Sequence, residues 1–267
     1  MNWKLAILNF VKWLLVVSYL AVSLAFVSSR SHQVSCSSIN IIIADSIENQ
    51  FITKAEILKT LERHYSNLIG IPLKMINTHE IEDHLTSMQA LKRVDAYKTL
   101  DGKLTIRVEQ RKPMMRVINR YGQSYYIDIE GEIVPLSSKY TSHVLVVNGN
   151  IIEPFEIGSK VRVMDWAGDV MNEHTPLICR LYDFARYVTN NNFWNAQISQ
   201  VYVNSPTNIE LIPRVGPHTV ILGSLDGYEK KLEKLKLFYE RALPEEGWNK
   251  YKEINLKYRN QIVCTKR

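Results

Sequence analysis

The sequence predicts an α+β protein in three parts: an N-terminal transmembrane helix, a small β-α-α-β-β domain, and a mixed, mostly antiparallel β-domain with flanking helices. Three observations predict it. An apolar segment opens the chain. Over the next stretch, to about residue 112, the hydrophobic period switches from two to 3.6 and back again. From residue 113 onward, short alternating runs are punctuated by Gly, Pro and Asn and interrupted by two amphipathic helical stretches. The 267 residues are enough for one large or two small domains beyond a leader, and a chain that is 46% hydrophobic and 22% charged is not disordered throughout.

The opening segment, Leu5 to Val27, reads LAILNFVKWLLVVSYLAVSLAFV. Its uninterrupted core, Trp13 to Val27, would rise only about 22 Å as a helix, against a hydrocarbon core of roughly 30 Å. Extending it back to Leu5 closes that gap and places Lys12 inside, where a long stem lets the ammonium snorkel to the interface. Trp3 and Trp13 suit the interfacial belt, and Lys4 with Lys12 favour a cytoplasmic N-terminus. The expectation is a cytoplasmic tail over 1–12, an anchor over 13–30 whose apolar part begins near 5, and a serine-rich linker over 31–38. Ser23-Leu24-Ala25 would serve a signal peptidase, but the apolar run continues past it, which favours an uncleaved anchor. Cys36 stands too far from the apolar run for a lipoprotein.

Residues 39–112 read as the small domain. Ile39 to Asp45 is a β-branched run. Thr53 and Glu56 have capping-box spacing, so a helix is expected to start there, with Ile57, Leu58, Leu61 and Tyr65 inward and Gly70 as its stop. Asn77 followed by Glu80 signals a second helix that buries Ile81, Leu85 and Met88. Val94–Leu100 and Lys103–Gln110 are strand-like and flank Asp101-Gly102, the signal of a two-residue hairpin turn.

Residues 113–267 read as the β-domain. Strands are expected on both sides of Glu130-Gly131, and again at Val144–Val147. Residues 151–175 are poorly patterned and read as loop. Thr175–Asn191 reads as a helix with Pro176 in its first turn. Strand-like runs follow at Gln197–Val203, Asn208–Pro213 and His218–Leu222, then a Lys-Leu-rich helix over Tyr228–Leu243 whose lysines read as its solvated face. Ile254–Cys264 reads as a terminal sheet strand.

Several function classes are excluded or disfavoured. The net charge of +6 is spread among acidic residues, and the local cluster Arg107, Arg111, Lys112, Arg116 lies in a strand-like pattern, so no nucleic-acid partner is expected. The three cysteines, Cys36, Cys179 and Cys264, show no zinc-type pairing. His79 and His84 lack an HExxH frame, and no GxSxG or phosphate-loop pattern occurs. No catalytic residue, metal or cofactor is expected.

A family resemblance adds to this reading. The strand and helix order of 39–112 resembles a POTRA module. Glu109-Gln110-Arg111-Lys112-Pro113, then Tyr125-Tyr126-Ile127-Asp128-Ile129-Glu130-Gly131, resembles the basic-x-Pro junction and "tyrosine, Asp, x, x, Gly" hairpin of the cell division family FtsQ/DivIB. Thr219-Val220-Ile221-Leu222-Gly223 before the lysine-rich helix, and Ile254-Asn255-Leu256-Lys257-Tyr258 near the end, are similar to two further signatures of that family. Asn255 and Lys257 stand where the family has Asp and Arg. The resemblance implies a non-enzymatic scaffold in the bacterial inner membrane at the division septum, with its bulk in the periplasm. It would bind FtsB, FtsL and other division proteins there and recruit and regulate septal peptidoglycan synthesis. The partner-binding residues it implies are Leu256, Lys257, Tyr258, Arg259, Asn260, Gln261, Ile262 and Val263, with Tyr258 as aromatic anchor. The alternative is another POTRA-bearing protein, of outer-membrane assembly or secretion, although neither tandem repeats nor barrel-type strands are visible.

Overall fold

The computed structural model describes residues 3–31, 34–44, 50–65, 67–153, 162–168 and 174–267, the side chains of 4–9 and 25–31 excepted. Helix α1 (Trp3–Ser31) opens the chain with 29 residues. Its described side chains are Trp3 and the run Phe10 to Leu24, and nearly all are exposed. Among the described residues no helix is long and apolar enough to cross a membrane, so the expected transmembrane helix is not found there.

Beyond α1 the chain forms two compact units that divide after Gln110, with Gln50 and Phe51 grouped with the second. The first unit contains β1 (Ser38–Ile43), α2 (Lys54–His64), a 3₁₀ turn at Leu73–Met75, α3 (Thr78–Thr86), β2 (Leu91–Lys98) and β3 (Lys103–Gln110). The sheet order is β1-β3-β2, with β1 parallel and β2 antiparallel to β3. The Thr53 hydroxyl accepts from the Glu56 N–H, and the Glu56 carboxylate accepts from the Thr53 N–H at 2.8 Å, completing the capping box that starts α2. The Asn77 side chain caps α3 by accepting from the Glu80 N–H. Ile57, Leu61, Ile81 and Leu85 are fully buried with Leu104, Ile106 and Val108 of β3. Two expectations shift. Helix α2 ends at His64, well before Gly70, because Tyr65 already has extended backbone. The hairpin after β2 is a four-residue loop, Thr99 to Gly102, closed by the Thr99 N–H donating to the Lys103 carbonyl at 2.9 Å.

The second unit runs β4 (Pro113–Ile118), β5 (Ser124–Asp128), β6 (Ile133–Val134), β7 (Leu145–Gly149), α4 (Leu177–Asn190), α5 (Asn192–Gln197), β8 (Ile198–Ser205), β9 (Asn208–Pro213), β10 (Thr219–Gly223), α6 (Tyr228–Arg241), α7 (Leu243–Glu246), β11 (Tyr251–Asn255) and β12 (Val263–Lys266). Among the described residues these strands form one nine-stranded sheet, ordered β12-β11-β10-β9-β8-β7-β4-β5-β6. Five neighbouring pairs are antiparallel, and β4–β7, β7–β8 and β10–β11 are parallel, so the domain is mixed and mostly antiparallel. The β5–β6 turn is built by Asp128. One carboxylate oxygen accepts from the Glu130 and Glu132 N–H groups at 2.8 Å each, and the other from Arg111 at 3.0 Å. Gly131 takes the positive φ the turn requires. The apolar stripes of α4 (Leu181, Phe184, Val188) and α6 (Leu232, Leu235, Tyr239) are buried in the same core as alternate residues of the strands. Within the region expected to be loop, Val163–Trp166 forms a 3₁₀ turn, while 154–161 and 169–173 lie outside the described residues.

Candidate partner-docking edge

The expected terminal strand over Ile254–Cys264 is not one strand. It is a hairpin: β11, a loop over 256–262, and β12. The reversal follows from what the chain buries. Ile254 and Leu256 are both fully buried, two residues apart on one face of the strand. After Leu256 come five consecutive exposed residues, Lys257 to Gln261, which have no buried apolar side chain to hold a strand in register. β12 then returns antiparallel, pairing Val263 with Asn255 and Cys264 with Ile254. It is the last strand of the sheet, and Val263, Thr265 and Lys266 are exposed. Its outer backbone faces no described strand, the arrangement that strand addition by a partner requires. The opposite end of the sheet is the two-residue β6, too short to template much pairing.

The eight residues expected to bind a partner fall into three kinds. Leu256 is buried and its N–H donates to the Ile221 carbonyl at 2.9 Å, so it anchors the loop and presents no surface. Lys257, Tyr258, Arg259, Asn260 and Gln261 are exposed in the loop, Tyr258 at 48%. Ile262 is half-buried against the core, and Val263 alone lies in the edge strand. Tyr258 is thus a loop residue beside the edge. Neither Lys257 nor Arg259 forms an ion pair among the described residues, so the loop carries cationic charge.

Other residues hold this edge and were not legible as doing so. The α6 lysines are not all a solvated face. The Lys231 ammonium donates to the Ser224 carbonyl at 2.7 Å, and burial pushes its pKa below the ordinary lysine value. The Lys234 ammonium donates to the carbonyls of Tyr258 and Arg259 at 2.8 and 3.2 Å. The Lys257 stem lies against Gly223, where a Cβ would come within 2.8 Å of its Cγ. At the far end of β12, Arg267 donates from its backbone to the Lys250 carbonyl and from its guanidinium to the Pro217 carbonyl at 2.8 Å. Beside it, His218 is buried with its Nε2 2.8 Å from the Tyr239 hydroxyl. Burial, and then the nearby Arg267 charge, hold the His218 pKa below its usual value.

No arrangement for chemistry competes with this edge among the described residues. No group of three or more His, Cys, Asp or Glu there is placed to hold a metal. All three cysteines are free. The Cys179 thiol donates to the Val163 carbonyl, and burial, with Glu153 nearby, pushes its pKa up to about 11, so it stays protonated and unreactive at neutral pH.

Comparison with known proteins agrees with this architecture. A POTRA-like domain model matches residues 34–109, and a model described as FtsQ/DivIB, C-terminal related, matches residues 112–265. No curated protein matches the chain. The second model alone covers more than half of the 267 residues, and the protein therefore belongs to the FtsQ/DivIB family of non-enzymatic cell division proteins.

Proposed function

We propose that this chain is a membrane-anchored divisome scaffold without catalytic activity, whose terminal hairpin receives FtsB, together with FtsL, at the division septum. Through that contact it recruits and regulates septal peptidoglycan synthesis. The anchor is α1, which places the N-terminus in the cytoplasm and both later units in the periplasm. The observation that carries the reading is the position of β12. It is an edge strand with exposed side chains, beside a loop that presents an exposed tyrosine. An extended segment pairing with β12 would gain backbone hydrogen bonds at no cost to existing pairs, and Tyr258 would supply a rigid aromatic contact. The loop cations Lys257 and Arg259 favour a segment with acidic residues beside the paired stretch.

The test is a pull-down of the full chain in detergent with the FtsB and FtsL ectodomains. Wild type is expected to retain both. Tyr258→Asp buries a carboxylate in the contact and is expected to cut capture by tenfold or more, roughly 1.4 kcal/mol. Equal capture by the two proteins would remove the docking assignment.

A further inference from the structure

We infer that Lys234 of α6 is a positioning residue for the docking loop, holding Tyr258 and the loop beside β12 in a receptive shape before any partner arrives. The inference rests on the docking reading above and adds a residue that lies outside the terminal hairpin altogether.

The geometry is a one-point clamp. The two successive carbonyls of Tyr258 and Arg259 converge on the single Lys234 ammonium, at 2.8 and 3.2 Å. Successive carbonyls diverge in extended chain and point together in a turn, so a cation shared by two of them grips the loop where it turns, at 258–260. An ammonium is suited to this, because it offers three donors in a compact point charge, and charge-assisted bonds to carbonyls are stronger than neutral ones. The foot of the loop is fixed separately. The Leu256 N–H donates to the Ile221 carbonyl at 2.9 Å, and the Lys257 N–H to the Asn255 side chain at 3.0 Å. Between foot and apex, the Lys257 stem lies against the bare Cα of Gly223. Among the described residues no other bond fixes 257–261, which are all exposed, and the loop is next held only at Ile262, half-buried against the core. Without the clamp the apex would sample many conformers, and a partner would have to order it on binding.

Lys234 itself is well placed for the task. It is one helical turn from Lys231, whose ammonium holds the Ser224 carbonyl, so α6 sends one lysine to the β10–α6 connection and the next to the β11–β12 loop. The same helix is fixed beneath by Leu232 and Leu235, both fully buried. The clamp is therefore mounted on a rigid element and grips a mobile-prone one.

Three variants of the full chain, in detergent, test this: Lys234→Ala, Lys234→Arg, and Lys230→Ala as a control that removes the same charge from an exposed position with no bond to the loop. Alanine keeps helix propensity, so α6 is expected to persist, and an unchanged melting midpoint checks it. Two readouts are taken: amide hydrogen exchange over 256–262 in the free chain, and affinity for the FtsB ectodomain. Lys234→Ala is expected to speed exchange and to weaken binding, each about tenfold, with Lys234→Arg recovering most of both and Lys230→Ala changing neither. Unchanged exchange in Lys234→Ala overturns the clamp. Faster exchange with unchanged affinity overturns its role in docking and leaves the docking reading standing. Equal weakening by Lys230→Ala assigns the effect to net charge, against the inference. No binding by wild type removes the docking reading and the inference with it.

Discussion

At the scale of the residue, His218 has the clearest consequence. It is 3% exposed, bonded through Nε2 to Tyr239, and close to the Arg267 charge at the end of the edge strand. Its folded pKa is depressed, so as pH falls the unfolded chain takes up the proton first. Stability is full above the unfolded value of about 6.5 and declines below it, by at most about 1.4 kcal/mol per pH unit for one proton. The expected outcome is a melting midpoint of the second unit that falls between pH 6.5 and 5.5. His218→Gln keeps a partner for the Tyr239 hydroxyl and should flatten that dependence; an unchanged slope in the variant would assign it to other groups. None of this was legible in the sequence, where His218 is one of seven histidines at the start of a strand-like run. Burial is decided by elements far along the chain. Asp128 is the contrasting case. Its three-residue spacing to Gly131 announced the turn, because the bonds that shape the turn, to the Glu130 and Glu132 N–H groups, are local.

At the scale of the element, local chemistry was read well and tertiary closure less so. The capping box of Thr53 and Glu56 is written within four residues, and it forms. Thr53→Ala should cost about 1 kcal/mol, seen as faster hydrogen exchange over α2 and a lower melting midpoint of the first unit; no change in either would mean that packing alone sets the helix start. Helix ends and strand breaks were harder. α2 stops five residues short of the glycine that looked like its stop, since the chain must turn at Tyr65. The terminal stretch breaks into β11 and β12 because burial ends at Leu256. The fold distributes the eight expected docking residues over an anchor, a loop and a strand. Lys234 was hidden for the same reason as His218: its reach to Tyr258 spans 24 residues.

At the scale of the whole molecule, each unit has its own buried core, with Ile57, Leu85 and Ile106 in one and Tyr125, Phe184 and Val201 in the other. The change of pattern in the sequence set the expected boundary at 112, and the compact units divide after Gln110. The proposed anchor belongs to this scale as well. The full chain is expected to stay in the membrane pellet after alkaline carbonate extraction of cells; recovery in the soluble fraction would sink the anchor and the single-pass topology. Fractionation of the pellet would separate an inner-membrane scaffold from an outer-membrane assembly protein.

The parallel pairing of β10 with β11 has a consequence in time. Thr219 sits opposite Glu253, and α6 and α7 lie between them in the chain. β11 therefore has no seat until that crossover has folded, and β12 has none until β11 is in place. The order of the strands thus makes the β12 edge the late-formed one: it waits on the α6–α7 crossover and then on β11, so the proposed docking surface is absent from any folding intermediate that lacks either.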